Sequence, residues 1–130
     1  MNNTLTLRVD LDASVPAYRQ IVDGLRILLV GGKLAAGSEL PSVRRMATDL
    51  GVHFNTVAEA YRALADEGWV DLRHGRGATV VERDVPVANA AQLNEFRHRL
   101  RALIAEMQSQ GASAAKLGTE LRTLADEIAK

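Results

Sequence analysis

The chain has 130 residues, and 16 Lys and Arg balance 16 Asp and Glu. This length suits one small domain, or one domain with an appendage, and the charge balance excludes a whole-chain basic coat for nucleic acid or an acidic tail protein. The absence of cysteine excludes a disulfide framework, a thiolate zinc site and a cysteine nucleophile.

Leu5-Thr6-Leu7-Arg8-Val9-Asp10 alternates apolar and polar residues, as a short strand or a pairing arm does. Pro16 suits a first helical turn. Tyr18, Ile21, Val22, Leu25, Leu28 and Leu29 then recur at helical spacing up to about residue 30. Gly31-Gly32 ends that helix, and residues 34–41, holding Gly37 and Pro41, read as a loop. A second helix is expected over 42–50, with Ser42 as its cap and Val43, Met46, Ala47 and Leu50 on one face. A third is expected over 55–66, with Val57, Ala60, Tyr61 and Leu64 inward. The short Gly-containing link between them makes a helix-turn-helix. Residues 69–73 and 78–82 are β-prone runs around His74-Gly75-Arg76-Gly77, a hairpin placed where a wing follows a helix-turn-helix.

Pro86 marks a linker. Beyond it Leu93, Phe96, Leu100, Leu103, Ile104 and Met107 form a fourth helical stripe, and Leu117, Leu121, Leu124 and Ile128 a fifth, with Gly111-Ala112-Ser113 between. The expected organisation is a winged helix-turn-helix DNA-binding domain over 1–84 and a two-helix dimerisation tail over 85–130. The fold is mainly α with a small β-wing. Two helices with narrow stripes bury little alone, so the tail is expected to pack on a second copy of the chain through Leu93, Phe96, Leu100, Leu103, Met107, Leu117, Leu121, Leu124 and Ile128.

The remaining chemistry is sparse. His53, His74 and His98 lack metal-ligand spacing, and no phosphate-binding glycine loop is present. No cofactor is expected. With no activated nucleophile and no carboxylate pair placed by a motif, an enzyme is not expected either. No apolar run approaches the roughly 20 residues of a membrane span, and no basic-then-apolar leader opens the chain, so a cytoplasmic protein without a membrane partner is expected.

Pro16-Ala17-Tyr18-Arg19-Gln20-Ile21-Val22, Gly32-Lys33-Leu34, Leu40-Pro41-Ser42-Val43-Arg44, Leu50-Gly51-Val52, Asn55-Thr56-Val57, Ala60-Tyr61-Arg62-Ala63-Leu64, Glu67-Gly68 and Gly75-Arg76-Gly77 occur in this order. Together they resemble the GntR family of bacterial transcription regulators over about residues 12–82. A tail of only two helices resembles the YtrA subfamily. The resemblance implies a homodimeric winged-helix repressor of transcription that binds a double-stranded, inverted-repeat DNA operator. A small-molecule effector is compatible with it, although no residue marks a pocket.

The third helix is then expected in the major groove. There Asn55 can pair with adenine, and the Thr56 methyl can touch a thymine methyl. The competing role for either is to cap the helix. The resemblance assigns a DNA contact to Arg44. Arg45, about 100° further round, is either a second contact or a solvated charge, and Ser42 can donate to a phosphate as well as cap. At the wing, Arg76 leads, with Arg73 and His74 behind it, and Gly75 permits a close approach to the minor groove or backbone. Three features depart from the family. His53 stands where Ser or Thr often caps, either as a weaker cap or as a phosphate contact. Phe54 replaces a common arginine, leaving a ring near DNA or in the core. Ala58 and Glu59 replace frequent basic residues. Residues 1–84 hold ten Lys or Arg against eleven Asp or Glu, a net of −1, so binding must rest on local placement. The alternative reading is a winged-helix protein-interaction module that recruits a partner through the C-terminal hairpin.

Overall fold

The computed structural model describes residues 7–72, 78–84 and 86–129. Its elements are α1 (Ala17–Val30), α2 (Val43–Leu50), α3 (Phe54–Asp66), β1 (Val70–Leu72), β2 (Ala78–Val80), α4 (Ala90–Ser109) and α5 (Ala114–Ala129). The chain divides into two compact units, Met1–Asp84 and Val85–Lys130.

In the first unit α3 is the central element, packed on α1, α2 and β1. Its inward stripe Val57, Ala60, Tyr61 and Leu64 is buried against Ile21, Val22, Leu25 and Leu29 of α1 and Met46 and Ala47 of α2. Each of the larger side chains contributes about 1.5–3 kcal/mol by leaving water. Tyr18 and Trp69 lie partly buried against this core. The hairpin pairs antiparallel in the register Val70↔Val80, Asp71↔Thr79, Leu72↔Ala78. Alternation along it buries Val70, Ala78 and Val80 beneath the helices.

One segment differs from its expected form: residues 34–41 are more than a loop. Gly37 N and Leu40 N donate to Val80 O and Ala78 O at 2.7 and 2.8 Å, and Val80 N donates to Ser38 O at 2.7 Å. This segment covers the free edge of β2 and buries Leu40. Between Gly37 and Pro41 only three residues intervene, too few for alternation to register. Of the two forms open to the N-terminal segment, strand or pairing arm, residues 7–10 take the arm. Leu7 and Val9 pack on the core, and Gln20 ties the arm down. Its Oε1 accepts from Asp10 N at 2.8 Å, and its Nε2 donates to Asp10 O at 2.9 Å. Gly24 makes room for this arm, because a Cβ there would fall on Leu7 Cδ1.

A polar clasp joins α1 to the C-terminal end of α3 and the segment that leaves the hairpin. Arg26 donates to both oxygens of Glu67, at 3.1 and 2.5 Å, and the Trp69 indole donates to Oε1 at 3.1 Å. Arg83 lies 4.7 Å from the Trp69 ring centre and donates to Glu67 O at 2.8 Å. The Arg26 hydrogen bonds hold the Glu67 carboxyl below the usual carboxylate range, against an opposing push from partial burial. A depressed carboxyl stabilises the fold fully above the unfolded value, and that contribution is lost as pH falls through the folded one. The clasp is half-exposed, so its expected worth is no more than about 1 kcal/mol. Wild type should therefore exceed Glu67→Gln in urea-unfolding stability at neutral pH. The difference should shrink as pH drops below about 4.3. A gap that persists at low pH would show that charge is not what Glu67 supplies.

In the second unit, Asn89 and Gln92 form a capping box at the start of α4. Ser113 Oγ accepts from Lys116 N at 3.1 Å to cap α5. Neither helix buries a residue. The expected stripes divide by exposure. Leu100, Ile104, Leu117 and Leu121 are half-buried, whereas Leu93, Phe96, Leu103, Met107, Leu124 and Ile128 are exposed. No helix among the described residues is long and apolar enough to cross a membrane.

Candidate nucleic-acid interface

The start of α2 is held from two sides. Ser42 Oγ accepts from Arg45 N at 3.1 Å, which satisfies a donor that the first turn leaves free. One residue earlier, the buried Tyr61 hydroxyl donates to Pro41 O at 2.7 Å, joining α3 to the approach to α2. Burial pushes the Tyr61 phenol well above its ordinary value, so it stays a donor. Tyr61→Phe is expected to cost about 1 kcal/mol or somewhat more in urea unfolding, since Pro41 O loses its partner. No change in stability would mean that water replaces the hydroxyl.

Ser42 therefore serves as a cap, and the two arginines after it differ. Both are exposed. Arg45 pairs with Asp49 one turn on, at 3.6 Å. Arg44 has no carboxylate partner among the described residues. A free planar guanidinium is available to a phosphate or a guanine edge without first breaking an ion pair.

Gly51 ends α2 at φ 72°, which a side chain would strain, and donates back to Ala47 O at 2.9 Å. Val52 and His53 complete the turn into α3. His53 is the cap of that helix. Its Nδ1 accepts from Asn55 N at 3.0 Å, so the imidazole takes the role that Ser or Thr would fill. Neither Asn55 nor Thr56 caps α3. The Asn55 side chain is exposed and has no hydrogen-bond partner among the described residues, while Thr56 is half-buried. Asn55, Glu59 and Arg62, four and three apart, share the exposed strip of α3.

Arg44, Ala47, Thr48, Val52, His53 and Phe54 line one open recess of 490 Å³ between the two helices. The structure thus brings Arg44 and His53 together, with Asn55 directly after them. Arg73, His74, Gly75 and Arg76 lie outside the described residues. Arg62 and Phe54 are additional residues of this face. Helical spacing from Asn55 was enough to find Arg62. For Phe54 the sequence left two places open, near DNA or in the core, and the structure puts the ring at this face, 42% exposed.

Comparison with known proteins decides the family. The profile of bacterial regulatory proteins of the gntR family matches residues 17–80. A solved structure, YtrA from Sulfolobus acidocaldarius, described as a GntR-family transcription factor, is 30% identical with a TM-score of 0.53, covering 94% of this chain and 98% of that one. The chain belongs to the GntR family. An HTH-type transcriptional regulator of Mycobacterium tuberculosis is 42% identical over 75% of this chain and 81% of its own length. The HTH-type transcriptional repressor YtrA of Bacillus subtilis is 28% identical over 94% of each chain. This GntR protein is therefore a YtrA-like transcriptional regulator with a winged-helix DNA-binding domain. Its relatives are regulators, not enzymes.

Proposed function

We propose that this protein is a transcriptional repressor that binds an inverted-repeat operator as a homodimer. α3 enters the major groove, and the wing tip at Arg73, His74, Gly75 and Arg76 meets the minor groove or backbone. The observation that carries the reading is Arg44 and the Asn55 amide at the N-terminal rim of α2 and α3, both exposed and without a side-chain partner among the described residues. A recognition helix presents its N-terminal residues to base edges, and these two groups suit guanine or phosphate and adenine. Ser42 and His53 act by holding the two helix starts, and Arg45 contributes less than Arg44. The assignment to repression follows the YtrA repressor of B. subtilis.

The homodimer is supported by the second unit, whose helices expose Leu93, Phe96, Leu103, Met107, Leu124 and Ile128 while burying nothing. Two helices without a core need a partner to be stable. A recess of 760 Å³ along α4 includes Phe96, Leu100 and Leu103 and is read as the seat of the partner's helices rather than of a small effector. A dimer also resolves the charge problem, since a half-site bound by a domain of net charge −1 is weak and two half-sites reinforce each other.

The test is selection of bound duplexes from a random pool at two salt concentrations. The expected result is an inverted repeat whose binding weakens as salt rises. A pool that enriches no sequence would overturn the reading in favour of a protein-interaction module.

A further inference from the structure

Phe54 continues the inward stripe of α3, at spacings of three, four and three with Val57, Tyr61 and Leu64. Those three are at most 1% exposed, yet Phe54 is 42% exposed. The ring falls just beyond the end of the core. It stands edge-on to the His53 imidazole, with centroids 4.9 Å apart and planes at 63°. It shares the open recess with Arg44, Thr48 and Val52. The same imidazole caps α3, so the ring stands at the leading end of that helix, in the recess that Arg44 also lines.

We propose that Phe54 is a specificity-determining residue that reads thymine, its ring receiving the 5-methyl group of one thymine in each half-site. The inference rests on the operator-binding reading above. A phenyl ring can neither donate nor accept a conventional hydrogen bond, so the hydrogen-bonding edges of the bases offer it little. The single apolar feature of the major groove is the thymine methyl. An arginine at this position would favour guanine, so Phe54 changes the base that this protein selects.

The test uses the full chain and the selected operator, with uracil replacing thymine one position at a time. This exchange removes a methyl group and leaves every hydrogen-bonding atom in place. The expected result is one position per half-site at which uracil weakens binding about fourfold, the worth of one buried methyl, and about fifteenfold with both half-sites changed. Phe54→Ala should bind thymine and uracil operators equally at that position, while any position read by the Thr56 methyl keeps its preference. Phe54→Leu should restore part of the discrimination. Phe54→Gln, whose side chain suits a helix, repeats the test should the alanine variant fold poorly. Operator binding with no uracil-sensitive position that depends on Phe54 would overturn this inference alone. Failure of the wild type to bind any duplex would overturn it together with the proposed function.

Discussion

A chain carrying Phe96→Glu and Leu103→Glu is expected to sediment as a monomer and to bind its operator about a hundredfold more weakly than wild type. Both side chains lie on α4, seven residues apart, at 62% and 53% exposure. Their replacement removes little that is packed within the monomer, and glutamate is a good helix former. In a dimer the two substitutions would place four carboxylates in an apolar seam, at a cost of several kcal/mol for each one desolvated without a partner. Loss of the seam separates two half-site readers, so the second binding event no longer profits from the first. Leu100 and Leu121 make less discriminating targets. They are half-buried within the monomer, and changing them would also disturb the unit itself. Analytical ultracentrifugation and operator titration check the prediction. A variant that remains dimeric would show that the exposed stripe of α4 is not the seam.

The second large effect is expected from Arg44→Ala. An arginine that reads a base edge is worth about 1–3 kcal/mol, and a dimer presents two, so operator affinity should fall about a hundredfold or more. Helix content and dimerisation should be unchanged, because Arg44 is exposed and unpaired among the described residues. Arg45→Ala provides the contrast. Its guanidinium is shared with Asp49 in a solvent-exposed pair of little intrinsic worth, and the expected loss is only a few-fold. Titrations at several salt concentrations separate the two roles open to Arg44. Loss of a phosphate contact lowers the salt slope by about one per arginine, whereas loss of a base contact lowers affinity mainly for the cognate sequence. Equal losses for the two alanine variants would mean that the ion pair does not distinguish them.

Several features of the interface were legible because they are local. Ser42 before a helical stripe and Gly51 after it set the ends of α2 through bonds that span three or four residues, and each was read from its neighbours alone. The inward faces of α1 and α3 follow from helical period, and Tyr61 and Leu64 lie where that period puts them. The order of motifs from Pro16 to Gly77 was enough to resemble the family to which the chain belongs.

Other features depend on what stands beside a residue in space. Ser38, Glu39 and Leu40 cover an edge of β2 supplied by residues 40 positions later, and nothing in a three-residue run announces such a partner. His53 has no strong intrinsic tendency to cap, and became the cap because the turn after Gly51 brings Nδ1 to Asn55 N. The resemblance already placed Arg44 ahead of Arg45, and the folded chain adds that Arg45 pairs with Asp49 while Arg44 has no carboxylate partner among the described residues. Phe54 could belong to the core or to the DNA-facing side as sequence, and the folded chain leaves it 42% exposed in a recess beside α2 while Val57 is fully buried. Sequence by itself determined the helices, the cap at Ser42, and the family, since each rests on near-neighbour chemistry or on the order of motifs. Tertiary structure alone decided that residues 38–40 close an edge of β2, that Arg26 meets Glu67 and that Phe54 stays exposed while the rest of its stripe is buried, because those properties belong to segments that meet only when the chain is folded.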